Sequence, residues 1–200
     1  MKAAQLVSPK KFKFLDVDVP KLQDGQCLIK MEKLSICGSD IYLEYNETAE
    51  EKYPMPVGVP CHECAGTVVE SRTDAIKEGQ RVIVLPQRAS GLQQYVAATP
   101  GQIIPLPDWG PLDEWVMCQP SGTVLYSVSR MGNLLGRSAL VLGQGAIGLS
   151  FTMILERQGL SQLIVADPHD YRLEKAKEFG ATDTINPSKV NIDEAVAELT

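Results

Sequence analysis

The sequence lacks a surplus of basic residues, a recognisable signal peptide and a second closely spaced cysteine pair. Its 19 lysines and arginines are outnumbered by 25 acidic residues, which gives a net charge of −6. Because nucleic acids and anionic membranes are bound by basic patches, this charge disfavours both partners. The first residues have no apolar core of the secretory type. Five cysteines in such a chain therefore predict a reducing, cytoplasmic setting, with metal binding or catalysis favoured over disulfides.

Long uncharged runs are also scarce. The longest, Ser138–Leu155, has the length to raise the question of a membrane span. It contains Gln144 and three glycines, however, which is atypical of a span and typical of a strand, a turn and a helix. At 200 residues the chain has room for one large domain or two small ones.

The chain changes character near residue 120. Before it, short β-branched runs alternate with turns, and nine prolines between Pro54 and Pro120 exclude long helices. This half is predicted to be mainly antiparallel β, as a barrel or sandwich. After residue 120, a first helix is predicted over 121–133. Apolar strand patterns at 138–142, 163–166 and 184–185 then alternate with helical periodicity at 145–158, 173–180 and 192–199. The alternation predicts a parallel α/β sheet.

A glycine-rich turn follows the first apolar strand of the second half. In residues 143–148, Gly143 permits a tight turn, Gly145 lets a pyrophosphate approach the backbone and Gly148 lets the helix lie close to the strand. Asp167 comes 19 residues after Gly148, where an acid that accepts ribose hydroxyls is expected. The pattern predicts a dinucleotide site with a preference for NAD, since the acid repels the extra phosphate of NADP. The alternatives are a plain strand-to-helix turn and, for Asp167, a turn former before proline.

Two residues beside this acid bear on that preference. Arg172 is near enough in sequence to accommodate the additional phosphate of NADP. His169 is expected to be solvated at the start of a helix.

Histidine is rare, with two in the chain, and His62 lies in the dense segment Cys61-His62-Glu63-Cys64. Zinc is bound by thiolate, imidazole and carboxylate groups, so His62, Glu63 and the earlier Cys37 are candidate ligands. Cys61 and Cys64 alone would suggest a structural zinc, but the missing second pair leaves that motif incomplete. The alternative for His62 is a packed, hydrogen-bonded side chain.

Together these motifs resemble the zinc-dependent medium-chain alcohol and polyol dehydrogenases, and the sorbitol and threonine dehydrogenase branch most closely. The resemblance rests on the order of 36–40, His62-Glu63, 78–82, 143–148 and Asp167, and it spans the whole chain. It implies a GroES-like mainly-β catalytic domain over 1–120, a linking helix over 121–136 and the first half of an NAD-binding Rossmann domain over 137–200. It also implies one catalytic zinc and NAD in the cleft between the domains, and a dimer or tetramer. Since a Rossmann sheet normally has six strands, we expect this sheet to be truncated at residue 200.

The resemblance assigns roles to further residues. Cys37 and His62 match the first two zinc ligands, and Glu63 matches an adjacent glutamate that binds zinc or swings away. Ser39 matches the hydroxyl that hydrogen-bonds the substrate oxygen and passes its proton outward. Asp40 matches the carboxylate that orients the zinc histidine. Ala146 and Ile147 match positions beside the nicotinamide cofactor, and Thr123 lies near the nicotinamide turn. The family histidine of the outer proton relay falls at Tyr42 in this chain.

Three departures from the family pattern stand out. The third zinc ligand falls at Cys118-Gln119-Pro120, where Gln119 aligns with the usual glutamate and the Cys118 thiol is the alternative. Cys61 and Cys64 add thiols beside the ligands, and buried core residues are their commoner fate. The four-cysteine lobe that binds a structural zinc in many relatives is missing, so one zinc is expected.

The sequence thus predicts a zinc-dependent oxidoreductase that transfers a hydride between a secondary alcohol or polyol and NAD. Two alternatives stay open at this point. One is a zinc-free quinone or enone reductase of the same superfamily, and the other is a non-catalytic nucleotide-binding protein or fragment.

Overall fold

The computed structural model of the chain describes residues 1–46 and 50–200. They form two compact units, Met1–Gln119 and Pro120–Thr200. The first is built mainly of antiparallel strands and the second is a parallel α/β sheet, which confirms the predicted fold class. The finer division into 1–120, 121–136 and 137–200 stays a prediction.

The first unit contains a two-stranded hairpin and a five-stranded antiparallel sheet. The hairpin pairs β1 with β2, and the larger sheet has the order β6-β3-β4-β5-β7. The strands are β1 (Lys2–Ser8), β2 (Lys11–Asp16), β3 (Cys27–Ser35), β4 (Glu63–Ser71), β5 (Arg81–Val84), β6 (Tyr95–Ala98) and β7 (Ile103–Pro105). Strands β3 and β4 are the longest, and their pairing forms the centre of the sheet.

The core of this unit lies against the five-stranded sheet and includes two of the cysteines noted above. Its fully buried members include Ile29, Val68 and Val82, which come from three neighbouring strands. Cys61 and Cys64 are buried in the same cluster. Most of these side chains are β-branched, which suits a pleated surface packed on one side.

The second unit has three parallel strands in the order β10-β9-β8, with helices on both faces. Its elements are α2 (Cys118–Ser129, which begins in the preceding unit), β8 (Ser138–Leu142), α3 (Ala146–Leu155), β9 (Gln162–Ala166), α4 (Asp170–Glu178), β10 (Asp183–Ile185) and α5 (Ile192–Leu199); a single turn, α1 (Leu112–Trp115), precedes α2. Alternate residues of β9 face opposite sides, because side chains alternate along a strand. Leu163 and Val165 pack with α2, α3 and α4, whereas Ile164 and Ala166 pack with α5.

Helix α2 differs from its prediction. It begins at Cys118, before the expected Ser121, and so includes Pro120 in its first turn. Proline is tolerated there because the first backbone N–H groups of a helix have no partner within it. The uncharged run Ser138–Leu155 divides into β8, the glycine turn and α3. Among the described residues, no helix has both the length and the apolar character to cross a bilayer.

Gly66 is required by the pairing of β3 with β4. It stands opposite Met31, where the register shifts between Met31 and Lys33 in a β-bulge. A Cβ atom at Gly66 would lie 2.0 Å from the carbonyl oxygen of Lys30. The two strands therefore approach too closely for any side chain at this position.

Replacing Gly66 with alanine is expected to lower the free energy of unfolding by about 1–3 kcal/mol or more, because backbone must move to admit the methyl group. Gly101→Ala is the matched control, since a Cβ there meets nothing within 4 Å and φ is not positive. Urea unfolding, monitored by circular dichroism, measures the free energy of unfolding of both variants. Equal stabilities of the two variants would contradict the steric argument.

Candidate metal centre and nucleotide turn

A cluster of three metal-ligating side chains lies at one end of the β3–β4 pair. The pairing of Ser35 with Glu63 places the end of β3 beside the start of β4. Cys37 follows β3 after one residue, and His62 directly precedes β4. The potential ligand atoms of Cys37, His62 and Glu63 consequently lie within 4.8 Å of one another. The strand register thus brings together the three ligands expected from the sequence.

Asp40 connects the two halves of this cluster. It is 4% exposed, and its Oδ1 lies 2.9 Å from Nδ1 of the His62 ring. Its Oδ2 accepts a hydrogen bond from the Cys37 backbone N–H at 3.0 Å. A carboxylate only accepts hydrogen bonds, so this contact favours the tautomer of the neutral ring with the proton on Nδ1 and the lone pair on Nε2. The lone pair on Nε2 is the one that a metal ion requires.

The donor set suits zinc. Thiolate, imidazole and carboxylate are its usual protein ligands. A tetrahedral zinc with bonds of about 2.0–2.3 Å holds its ligand atoms roughly 3.3–3.8 Å apart. Cys37, His62 and Glu63 are within 4.8 Å without an ion, so modest side-chain movement would bring them into that range.

The two additional thiols belong to the core. The sulfur atoms of Cys61 and Cys64 are 3.6 Å apart, and both residues are fully buried. The hydrogen bond with Cys61, followed by burial, raises the pKa of the Cys64 thiol far above its ordinary value. A protonated thiol is not a metal ligand. A Cβ at Gly91 would lie 2.4 Å from the Cys64 sulfur, so the short link before β6 packs directly on this pair.

The remaining residues predicted for this centre occupy different positions. Ser39 is half-buried in the turn between Cys37 and Asp40. Tyr42 is 77% exposed on the π-helical segment Asp40–Asn46. Cys118 is exposed and lies outside the ligand cluster found among the described residues. Gln119 is half-buried in the first turn of α2, and its part in metal binding stays a prediction.

In the second unit, the glycine turn has the geometry expected from its sequence. Gly143 has φ of +85°, and its N–H donates to Ala166 of β9 at 2.7 Å. A Cβ at Gly148 would lie 1.8 Å from the Gly143 carbonyl oxygen, so only glycine allows α3 to pack on this turn. A Cβ at Gly145 would meet nothing within 4 Å. The backbone before α3 is therefore open to an approaching group at the positive end of a helix.

Sequence analysis did not identify two residues that support this turn. Gln144 is 3% exposed although it lies between two glycines, and Thr152 is fully buried. The hydroxyl of Thr152 donates to Oε1 of Gln144 at 2.9 Å. Ala146 and Ile147 are exposed at the start of α3, and Thr123 is exposed on α2. Their contacts with a cofactor stay predictions.

Asp167 stands at the end of β9 and is held firmly by its own chain. Its side chain accepts from Gln144 N–H at 2.8 Å, from His169 N–H at 2.9 Å and from Arg172 Nη1 at 3.4 Å. The His169 ring is exposed beside the start of α4, as expected from the sequence, and its Nδ1 also lies 3.0 Å from Oδ1 of Asp167. Burial raises the pKa of Asp167, but these hydrogen bonds together outweigh it and hold the pKa below its ordinary value.

Comparisons with known proteins agree with the fold of both units. The family model described as "Alcohol dehydrogenase GroES-like domain" matches residues 23–125, and "Zinc-binding dehydrogenase" matches residues 146–200. The chain is 28% identical to an L-threonine 3-dehydrogenase of Chromobacterium violaceum, covering 100% of this chain and 67% of that protein.

Solved structures of dehydrogenases are also similar to this chain. The 2R,3R-butanediol dehydrogenase of Bacillus subtilis is 27% identical with a TM-score of 0.82, over 100% of this chain and 67% of that one. A zinc-binding dehydrogenase of Sinorhizobium meliloti bound to NADP is 25% identical with a TM-score of 0.82, over 97% of this chain and 64% of that one. The chain thus spans about two thirds of the length of its relatives.

The lowered pKa of Asp167 predicts how the free energy of unfolding depends on pH. Its ionised form stabilises the folded state at pH values above about 3.9, the ordinary pKa of aspartate, and this stabilisation is lost as pH falls through the lower folded pKa. We expect Asp167→Asn to lower the free energy of unfolding by about 1–3 kcal/mol at pH 7. The difference from wild type should narrow on approaching pH 3.

Urea unfolding at several pH values measures this effect. Glu174→Gln is the matched control, because Glu174 is exposed on the adjoining helix α4. A loss of stability in Asp167→Asn that is the same at pH 7 and pH 3 would contradict the role of the charge.

Proposed function

This chain belongs to the zinc-dependent medium-chain alcohol and polyol dehydrogenases, and on that premise we propose that it transfers a hydride between a secondary alcohol or polyol and NAD. The main support is the cluster of Cys37, His62 and Glu63, with His62 oriented by Asp40. The names of the relatives support the substrate class, since threonine and 2,3-butanediol both carry a secondary hydroxyl group. A dimeric or tetrameric assembly and a cytoplasmic location stay predictions.

The metal centre is proposed to act on the substrate hydroxyl. Cys37, His62 and Glu63 would hold zinc, with Gln119 as a further and weaker ligand because its amide is neutral. Bound there, zinc supplies Lewis acidity that lowers the pKa of an alcohol. Asp40 keeps the proton of His62 on Nδ1, so that Nε2 remains a ligand.

The substrate alcohol loses a proton and a hydride, and this chain's residues are proposed to handle the proton. Ser39, next to Asp40 in the turn after β3, would accept it from the substrate hydroxyl. Tyr42 lies further along the same segment and is exposed, which suits release of the proton to solvent. A nicotinamide cofactor, when bound, would supply the acceptor for the hydride.

The second unit is proposed to bind the dinucleotide. Gly143 and Gly145 leave the backbone before α3 open, Gly148 lets α3 pack on the turn, and the helix terminus favours a pyrophosphate. Ile147 and Thr123 are proposed to contact the nicotinamide portion. The name of one relative, bound to NADP, supports a nicotinamide cofactor, and Asp167 supports NAD.

The test combines metal analysis with turnover. We expect metal analysis to find one zinc per chain. We also expect NAD to be reduced when a panel of secondary alcohols and polyols is supplied, as monitored by the absorbance of NADH. We expect Cys37→Ser to lose its zinc and its turnover to fall at least about tenfold. Cys27→Ser is the matched control, because this thiol lies outside the cluster and beside the hydroxyl of Ser71. Active protein without zinc would contradict the mechanism and favour the zinc-free reductase.

A separate prediction concerns Asp40. Asp40→Asn should lower zinc affinity about 10–100-fold. The neutral amide of asparagine lacks the charged oxygen that accepts the hydrogen bond from Nδ1 of His62 and so orients the ring. Competition with a chelator of known zinc affinity measures this. Asp18→Asn, at an exposed position of the same unit, is the control. An unchanged zinc affinity in Asp40→Asn would show that the carboxylate does not support the metal.

A further inference from the structure

A buried amide lies inside the glycine turn of the second unit. Nε2 of Gln144 donates to the carbonyl oxygen of Gly143 at 3.1 Å. Since that oxygen only accepts, the opposite end of the amide is Oε1, which accepts from the hydroxyl of Thr152 in the second turn of α3. The same hydroxyl lies 3.1 Å from the carbonyl oxygen of Gly148, which already accepts within the helix. The Gln144 side chain therefore connects the first glycine of the turn to the interior of α3.

These contacts hold one peptide unit at both ends. The unit between Gly143 and Gln144 is planar, so its C=O and N–H groups point in opposite directions. The oxygen accepts from the Gln144 amide, and the N–H donates to Asp167 at 2.8 Å. The oxygen also faces Gly148, where a Cβ would lie 1.8 Å from it. The carbonyl group is thus packed against α3.

The peptide unit needs this support because glycine precedes it. Gly143 has φ of +85°, and a residue without a side chain rotates at little steric cost. Rotation of the unit would turn its carbonyl oxygen towards the open backbone before α3. The oxygen carries a partial negative charge and would repel a pyrophosphate there. The glycine that makes the tight turn possible also makes it easy to distort.

We propose that Gln144 and Thr152 are positioning residues of the nucleotide site, which hold this peptide unit so that the turn presents N–H groups, and not a carbonyl oxygen, to a pyrophosphate. The inference rests on the dinucleotide site proposed above. The N–H groups left for the ligand are those at the start of α3, which have no partner within the helix. Thr152 acts through the Gln144 amide, and the amide acts through the peptide unit, so neither side chain touches the cofactor.

ADP-ribose tests this role, because it carries the pyrophosphate without a nicotinamide ring and binds without turnover. Calorimetry measures its affinity for the folded 200-residue chain. Gln144→Leu keeps a similar volume without the amide and should weaken ADP-ribose about tenfold. Thr152→Val replaces the hydroxyl with a methyl group and should weaken it about threefold or more. Thr152→Ser keeps the hydroxyl and should bind within about twofold of the wild-type chain.

Two comparisons separate positioning from support of the fold. In the double variant Gln144→Leu/Thr152→Val, the second substitution should add little, because the hydroxyl has already lost its amide partner. Gln158→Leu is the matched control, since it makes the same change at an exposed position just after α3. It should leave the affinity for ADP-ribose unchanged. Urea unfolding establishes that each variant is folded under the conditions of the titration.

The opposing outcomes are distinct. Folded variants that lose stability but bind ADP-ribose as tightly as the wild-type chain would overturn the inference alone, because the pair would then only support the fold. Equal weakening by Thr152→Ser and Thr152→Val would also overturn it, and this contrast decides the question if Gln144→Leu does not fold. Failure of the wild-type chain to bind ADP-ribose would overturn the dinucleotide site and this inference with it.

Discussion

The antiparallel register between β3 and β4 is the constraint on which the metal centre depends. The ligands are separated by up to 26 positions along the chain, and the pairing of Ser35 with Glu63 is what makes them neighbours. That register is held by a bulge opposite Gly66, where the strands are too close for a side chain. Shifting it by one residue would turn every side chain of β4 to the other face, and would separate Glu63 from Cys37.

Each unit then stabilises its functional segment with a buried carboxylate. Asp40 accepts from the backbone of Cys37 and contacts the ring of His62. Asp167 accepts from the backbone of Gln144 and contacts the ring of His169. In both cases, a buried carboxyl side chain has a hydrogen-bond partner on each of its oxygen atoms, which is the condition under which burial of a polar group is tolerated. The same arrangement supports a metal ligand in one unit and a glycine turn in the other.

The sequence predicted the second unit more closely than the first, for a physical reason. Parallel strands and their helices carry local patterns, so β8, β9, α3 and α5 could be located from apolar periodicity. The order β6-β3-β4-β5-β7 is not local, because β3 pairs with a strand that follows it by more than fifty residues. Cys37, His62 and Glu63 were identified from residue type and family resemblance, but their proximity required the strand register. The hydrogen-bond contacts of Gln144 and His169 with Asp167 were not predicted, because a residue's own identity does not show which buried acid it will contact.

The packing of Gly91 on the Cys61–Cys64 pair has a consequence for the chemistry of the thiols. Addition of an oxygen atom to the Cys64 sulfur on the side of Gly91 would require space in a region that cannot admit one carbon. Cys27, Cys61 and Cys64 are all buried, whereas Cys118 is exposed and Cys37 is half-buried. Oxidants attack accessible thiolates, so damage to this protein begins at Cys118 and at Cys37, which zinc would shield. Oxidation is therefore expected first at the exposed Cys118, while the Cys64 sulfur beside the proposed metal ligands is enclosed.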